Sequence, residues 1–411
     1  MKEVMTIANL NYIQEIKQIR DSFKDFVHYT PLELNHTFSA LTKNNVYLKL
    51  ENFQRTGSFK IRGAYNKILR LSESEKKAGV ITASAGNHGQ AVALAAKSFN
   101  IKATIVVPEG SPIVKIEAIK NYSGEVIESG KSYDEAYQQA LKIKEKNNLT
   151  FVHAFNDLDV VKGQATIGYE IIEKLPSVDY IFCPIGGGGL ISGISSYCKE
   201  FNKKIKIIGV QSENARSMYE SFKKRELKTL DSTETICDGI AVKKPGDITF
   251  EMVNKYVDEI VLVSDEEVAN AILLLLERAK LFVEGSGAAP LAALLQKKIN
   301  VQNKNIVVII SGGNLTPNLL NRIINKGLIK EGRLLKFKTK IPDRPGELVK
   351  ILNFIAQNKG NVVSIVHDRE RLELSYTKAE VIVEIETRNK SHIDQIVKDL
   401  KLHYDIDILK F

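Results

Sequence analysis

The chain has 411 residues, 44% of them apolar, which suits two or three domains with sizeable cores. Its net charge of +9 would suit nucleic acid, but Lys and Glu are interleaved (Glu73 to Lys77, Lys142 to Lys146, Lys223 to Lys228) and no stretch mixes basic residues with stacking aromatics, so nucleic acid is excluded. Cys183, Cys198 and Cys237 form no CxxC pair, no apolar run reaches ~18 residues and Met1–Arg20 lacks a signal-peptide core, so a cytoplasmic protein with reduced thiols and no membrane segment is expected.

In chain order, Val46–Leu50 reads as a strand and Ile61–Leu71 as a helix. Gly79–Ala83 is a strand, followed by a small-residue loop and a helix over His88–Ser98. Strand Ala103–Val107, helix Ser111–Asn121, strand Glu125–Glu128, helix Ser132–Lys146 and strand Thr150–Ala154 continue the series. Tyr180–Cys183 leads into a glycine loop and its helix, then strand Lys206–Val210, and much later strand Asn305–Ile310. Alternating strands and helices, with near-continuous apolar strands, predict an α/β fold of parallel sheets covered on both faces, in two lobes with a cleft between them. A polar stretch at Lys326–Gly332 marks a linker. Beyond it, strand Leu335–Ile341, a helix opened by Asp343-Arg-Pro-Gly346 and running to Lys359 with Pro345 in its first turn, strands Asn361–His367 and Glu380–Glu386, helix Ser391–His403 and strand Ile406–Phe411 spell βαββαβ, a ferredoxin-like plan. So small a unit has a thin core, and pairing with a second copy is expected.

Four places along this series carry chemistry. Lys60 lies in Thr56-Gly-Ser-Phe59-Lys60-Ile-Arg-Gly63, between a flexible turn and an amphipathic helix. Phe59 can wall a pocket, and a desolvated ammonium loses its proton easily enough to become a nucleophile. Ser84-Ala-Gly86-Asn87-His88-Gly89 ends a strand and opens a helix; it could hold a carboxylate, or be only a cap. Gly186-Gly187-Gly188-Gly189-Leu190 follows a strand and precedes a helix, so its N–H groups converge where the helix dipole favours an anion. The third glycine and the later acidic residue of a dinucleotide site are missing, which favours a single phosphate. Ser311 stands at the carboxyl end of the last apolar strand, as a ligand-facing residue or as part of a Ser-Gly turn.

A reactive lysine, a phosphate loop, and an Asn and a Ser at strand ends together resemble the fold-type II pyridoxal phosphate enzymes, in particular the threonine dehydratase (threonine ammonia-lyase) family, over about residues 20–325. The tail resembles an ACT regulatory domain. The resemblance implies a catalytic domain over 1–330, with a small lobe of about 51–155 inserted in a large one, and a regulatory domain over 331–411. It implies that Lys60 holds pyridoxal 5'-phosphate as a Schiff base and acts as the proton-transfer base, with Phe59 packed beside the ring. Gly186, Gly187, Gly188, Gly189 and Leu190 would cradle the phosphate, Asn87 would bond the 3′-oxygen, and Ser311 would face the pyridine nitrogen. Gly239 and Glu284 match weaker segments lining the site, and Ser84, Gly86 and His88 would bind the substrate carboxylate, largely through backbone. The implied reaction is β-elimination of an amino acid to a 2-oxo acid and ammonium.

Two departures separate the chain from serine racemases: Ala85 replaces a second serine, and Gln211 and Ser217 replace an acidic pair at a divalent metal site, so no metal is expected. In the tail, Gly346, Asn361 and Val362 fall where ACT domains bind a small amino acid between paired copies. That implies allosteric control by isoleucine or valine, as suits isoleucine biosynthesis, and a homo-oligomer, a tetramer by resemblance. Serine dehydration or racemisation is the alternative chemistry, and a non-catalytic amino-acid-binding regulator the alternative class.

Overall fold

Residues 7–370 and 372–409 are described by the computed structural model, and those up to Leu315 form one unit and those from Thr316 another. The strands of the first unit are β1 (Leu32–Leu34), β2 (Asn45–Leu50), β3 (Val80–Ala83), β4 (Ala103–Val107), β5 (Glu125–Glu128), β6 (Thr150–Phe151), β7 (Tyr180–Pro184), β8 (Lys206–Ser212), β9 (Glu259–Val263) and β10 (Asn305–Ile310). They build two sheets, β1-β2-β10-β7-β8-β9 and β5-β4-β3-β6, all parallel except the antiparallel edge strand β1. The second sheet is drawn entirely from Val80–Phe151. All residues of β3 and β4 are buried, and in β10 only Asn305 is not, because helices cover both faces. Among the described residues no helix is long and apolar enough to cross a membrane.

Several elements escaped the sequence reading. Helices Leu158–Lys174, Asp247–Tyr256 and Asp265–Leu274 and strand β9 all belong to the first unit. So does helix Gly285–Leu295, whose Gly-Ser-Gly-Ala-Ala-Pro start reads locally as a turn but is buried throughout. Strand β6 is shorter than the expected Thr150–Ala154, because the chain turns sharply after Val152.

The second unit begins with helix Pro317–Lys330, which takes up most of the stretch expected as a linker. Strands β11 (Leu334–Pro342), β12 (Asn361–Asp368), β13 (Lys378–Glu386) and β14 (Ile406–Ile408) form an antiparallel sheet in the order β12-β13-β11-β14. Helices Glu347–Gln357 and Lys390–Leu400 share a core with Phe337, Val381, Val383 and Ile385. This is the βαββαβ, ferredoxin-like arrangement. Its first helix starts later than expected: Gly346, at φ +91°, caps it in a left-handed conformation, which puts Pro345 in the preceding turn. Of the last expected strand, Lys410 and Phe411 lie outside the described residues.

Candidate active site

Lys60 is the first residue of helix Lys60–Leu69, and the turn before it is fastened to the end of β10. Phe59 N–H donates to the Ser311 carbonyl at 3.1 Å, Gly313 N–H donates to the Gly57 carbonyl at 2.9 Å, and Ser58 bridges Gly312. The backbone itself therefore sets Lys60 beside Ser311, though the two are far apart in sequence. Lys60 Nζ donates to the Ala154 carbonyl at 3.1 Å and lies 5.1 Å from the centre of the Phe59 ring. Burial draws its pKa down to about 8, against the opposing pull of the Glu284 carboxylate.

The glycine loop closes the other side. Gly188 has φ +98° and precedes helix Gly189–Phe201, whose first N–H groups, from Gly189, Leu190 and Ile191, have no partner within the helix. A Cβ on Gly188 would come within 2.8 Å of Met218 and Thr249, one on Gly189 within 2.8 Å of Phe155, and one on Gly187 would run into the Phe155 ring. Thr249 Oγ1 donates to the Gly187 carbonyl, pinning the loop from behind. A bare backbone with free donors at a helix N-terminus is what a phosphate needs, so these residues fit the phosphate end of pyridoxal phosphate.

A polar cluster lies near Lys60, whose amine feels the Glu284 charge. Asn87 Nδ2 donates to both oxygens of Glu284, at 2.9 and 3.1 Å, and Asn87 Oδ1 accepts from Asn314 Nδ2. Burial and the nearby Asp238 charge push the Glu284 pKa up to about 7. Gly239 borders this carboxylate: a Cβ there would meet Ser286 Oγ at 2.8 Å and Glu284 at 3.4 Å. Ser311 is buried, and the buried hydroxyls of Ser58 and Ser286 have no protein partner. Unsatisfied buried hydroxyls are costly in a closed core and ordinary in a site that receives a polar ligand.

Helix Asn87–Ser98 opens at the end of β3, and Gly86, its N-cap, has open space where a side chain would be. Ser84 Oγ accepts from Gly86 N–H at 3.2 Å. His88 differs from its neighbours: its ring is buried with Nε2 against the Val152 carbonyl at 2.8 Å, and burial followed by the Lys60 charge lowers its pKa to about 3. The ring is thus held inward through Nε2, while its buried Nδ1 has no protein partner. The structure thus gathers Phe59, Lys60, Ser84, Gly86, Asn87, the glycine loop, Gly239, Glu284 and Ser311 into one cleft region, while Gly346, Asn361 and Val362 belong to the second unit.

Three features were missed. Arg62 is fully buried and donates to Glu51 and Glu170 through bonds of 2.8 Å, with Lys49 and Arg20 also on Glu170. Burial alone would raise the Glu170 pKa; Arg62 and Lys49 hold it at about 2. This network anchors the helix that carries Lys60, and its only sequence signal is charge inside apolar segments. Asn314 and the turn His153–Asn156 carry no motif at all.

The sequence matches the pyridoxal-phosphate dependent enzyme family over residues 23–312, more than half of the chain. It is 49% identical over 388 residues to an L-threonine ammonia-lyase of Thermotoga maritima, covering 94% of this chain and 96% of that protein. A second L-threonine ammonia-lyase, of Geobacter sulfurreducens, is 42% identical, covering 96% of this chain and 98% of that one. Among solved structures, the processed form of threonine deaminase isoform 2 from Solanum lycopersicum aligns with a TM-score of 0.74 at 38% identity, over 77% of this chain and 88% of that one. Maize serine racemase aligns with a TM-score of 0.73 at 34% identity, over 78% of this chain and 98% of that one.

Proposed function

This chain belongs to the pyridoxal-phosphate dependent enzymes, and from that premise we propose that it is a threonine ammonia-lyase, converting L-threonine to 2-oxobutanoate and ammonium, and L-serine to pyruvate and ammonium. The observation that carries the reading is the setting of Lys60: a desolvated amine, fixed by backbone bonds to the Ser311 loop and bonded to Ala154, next to the Phe155 that packs on the glycine loop. Bound pyridoxal phosphate supplies an electron sink for the charge left when a bond at the substrate α-carbon breaks.

The chain's own residues do the rest. The backbone of Gly186–Gly189 and Leu190, at the open end of helix Gly189–Phe201, would hold the phosphate, and Lys60 Nζ would hold the cofactor as a Schiff base. The freed amine, with a pKa near 8, is neutral often enough at neutral pH to remove the α-proton and basic enough to hold it. Ser311, a neutral buried hydroxyl, would face the ring nitrogen without a negative charge to hold a proton there, which would favour elimination over transamination. The N-terminus of helix Asn87–Ser98, with Ser84, receives the substrate carboxylate, and Phe59 walls out water beside Lys60. Ala85 offers no hydroxyl for a second proton transfer, and Gln211 and Ser217 are spent on Tyr219 N–H and the Val242 carbonyl, which supports elimination over racemisation.

The second unit is read as an ACT-like regulatory domain. Its support is the sheet order, the open surroundings of Gly346, and the exposed apolar residues Val362, Val363, Ile365 and Val366 on edge strand β12, which a second copy would cover. We take the enzyme to be a cytoplasmic homo-oligomer, a tetramer, in which isoleucine or valine bound near Gly346, Asn361 and Val362 adjusts the rate. The test is 2-oxo acid release from threonine and serine, with and without isoleucine or valine, by the purified chain and by Lys60→Ala. Faster release from threonine, abolished in the variant, is expected. No 2-oxo acid from a protein that holds the cofactor would overturn the activity. A rate and a substrate curve indifferent to both effectors would overturn the regulation alone.

A further inference from the structure

The turn after β6 touches both halves of the site, and one side chain holds it. His153 Nδ1 accepts two backbone bonds, from Phe155 N–H at 3.2 Å and Asn156 N–H at 2.9 Å. A ring nitrogen that accepts carries no proton, so the neutral ring has its proton on Nε2. Three consecutive residues of this turn then do three things. The Ala154 carbonyl receives Lys60 Nζ. The Phe155 ring lies under Gly187 and its backbone under Gly189. Asn156 reaches the first turn of helix Asp247–Tyr256, donating to Asp247 at 2.6 Å and accepting Ile248 N–H at 3.1 Å, while Thr249 of that turn donates to the Gly187 carbonyl. The His153 ring is itself held edge-on by Phe155 at 4.6 Å between centroids and flanked by Tyr137 at 6.1 Å.

We infer that His153 is a positioning residue: by tying the turn Ala154–Asn156 through Nδ1, it sets the distance between the Lys60 amine and the glycine cradle. The inference rests on the cofactor site proposed above.

The role needs an acceptor at the δ position and nothing more from the side chain. Asparagine offers one at the same reach to the N–H groups two and three residues on, as in an Asx turn, whereas phenylalanine keeps the ring and loses the acceptor. Losing two neutral hydrogen bonds costs roughly 1 kcal/mol each, which corresponds to about a thirty-fold weakening if all of it falls on cofactor binding. The experiment compares wild type, His153→Asn and His153→Phe, each stripped of cofactor and titrated with pyridoxal phosphate. Two readouts are taken: the dissociation constant, and the visible circular dichroism per bound cofactor, which reports how the ring is oriented in its site. Expected are a constant within about three-fold of wild type and retained dichroism for His153→Asn, against at least about ten-fold weaker binding and reduced dichroism for His153→Phe. Equal effects in the two variants, whether both intact or both impaired while folded by far-ultraviolet dichroism, would overturn the role of Nδ1. If His153→Phe does not fold, His153→Asn against His153→Leu is read the same way. A wild-type protein with no visible band on titration would instead overturn the site reading beneath it.

Discussion

Gly187→Ala tests the cradle most directly. A Cβ at Gly187 would come closer than 3.0 Å to three carbons of the Phe155 ring, a separation real side chains do not tolerate. The ring cannot simply swing aside, because His153 packs edge-on against it and its own backbone lies under Gly189. Either the ring or the loop must give, and overpacking of this kind costs roughly 1–3 kcal/mol. If the loop gives, its N–H groups leave the positions that serve a phosphate, so the cost reaches cofactor binding as well as stability. A loss of about 2 kcal/mol in binding is about a thirty-fold rise in the pyridoxal phosphate dissociation constant. The assay is titration of the stripped protein followed by its visible absorbance, paired with urea unfolding. Phe155→Ala in the same chain removes the clashing ring, so the double variant should recover more than half of the lost affinity. Wild-type affinity in Gly187→Ala, or no recovery in the double variant, would refute the argument that the bare loop is kept bare by Phe155.

The other predictions concern charge and the substrate end of the cleft. Glu284 has its folded pKa raised to about 7 from an ordinary 4.5, so the stability this group confers is fully present below pH 4.5 and is lost as pH rises through about 7. Glu284→Gln should therefore flatten that fall, seen as a difference between the two proteins in urea unfolding across this window; an unchanged pH profile would refute it. Arg62→Met leaves Glu51 without its cation and strips the shared one from Glu170, and should cost about 3–5 kcal/mol in unfolding of the cofactor-free protein. A loss below about 1 kcal/mol would mean that Lys49 and Arg20 suffice. Gly86→Ala adds a methyl into open cleft at an ordinary negative φ, so its unfolding midpoint should match wild type while KM for threonine rises several-fold; a KM left unchanged would remove Gly86 from the substrate end.

Sequence alone settled whatever rests on local chemistry. Unbroken apolar strands such as Ala103–Val107 and Asn305–Ile310 had to lie in covered parallel sheets, and the structure places both at the expected residues. Glycines that allow an anion near a helix N-terminus, and a lysine beside an aromatic, declare themselves because their chemistry is carried by adjacent residues. The same holds for the βαββαβ tail, where alternation along Leu334–Pro342 shows one buried face. What remained hidden depends on partners far along the chain. Helix Gly285–Leu295 looks like a turn until burial against the large sheet and helix Asp265–Leu274 outweighs the weak helix propensity of its glycines and proline. The sequence does not say which way the His88 side chain turns; only packing against the Val152 carbonyl just after β6 buries its ring. Arg62 and Glu170 stand 108 positions apart and look like ordinary surface charges until folding removes both from water and leaves each the other's main partner. The pKa values of Lys60 and Glu284 follow the same logic: a sequence names the titratable group, but desolvation and neighbouring charge are properties of the surroundings that only tertiary packing assembles.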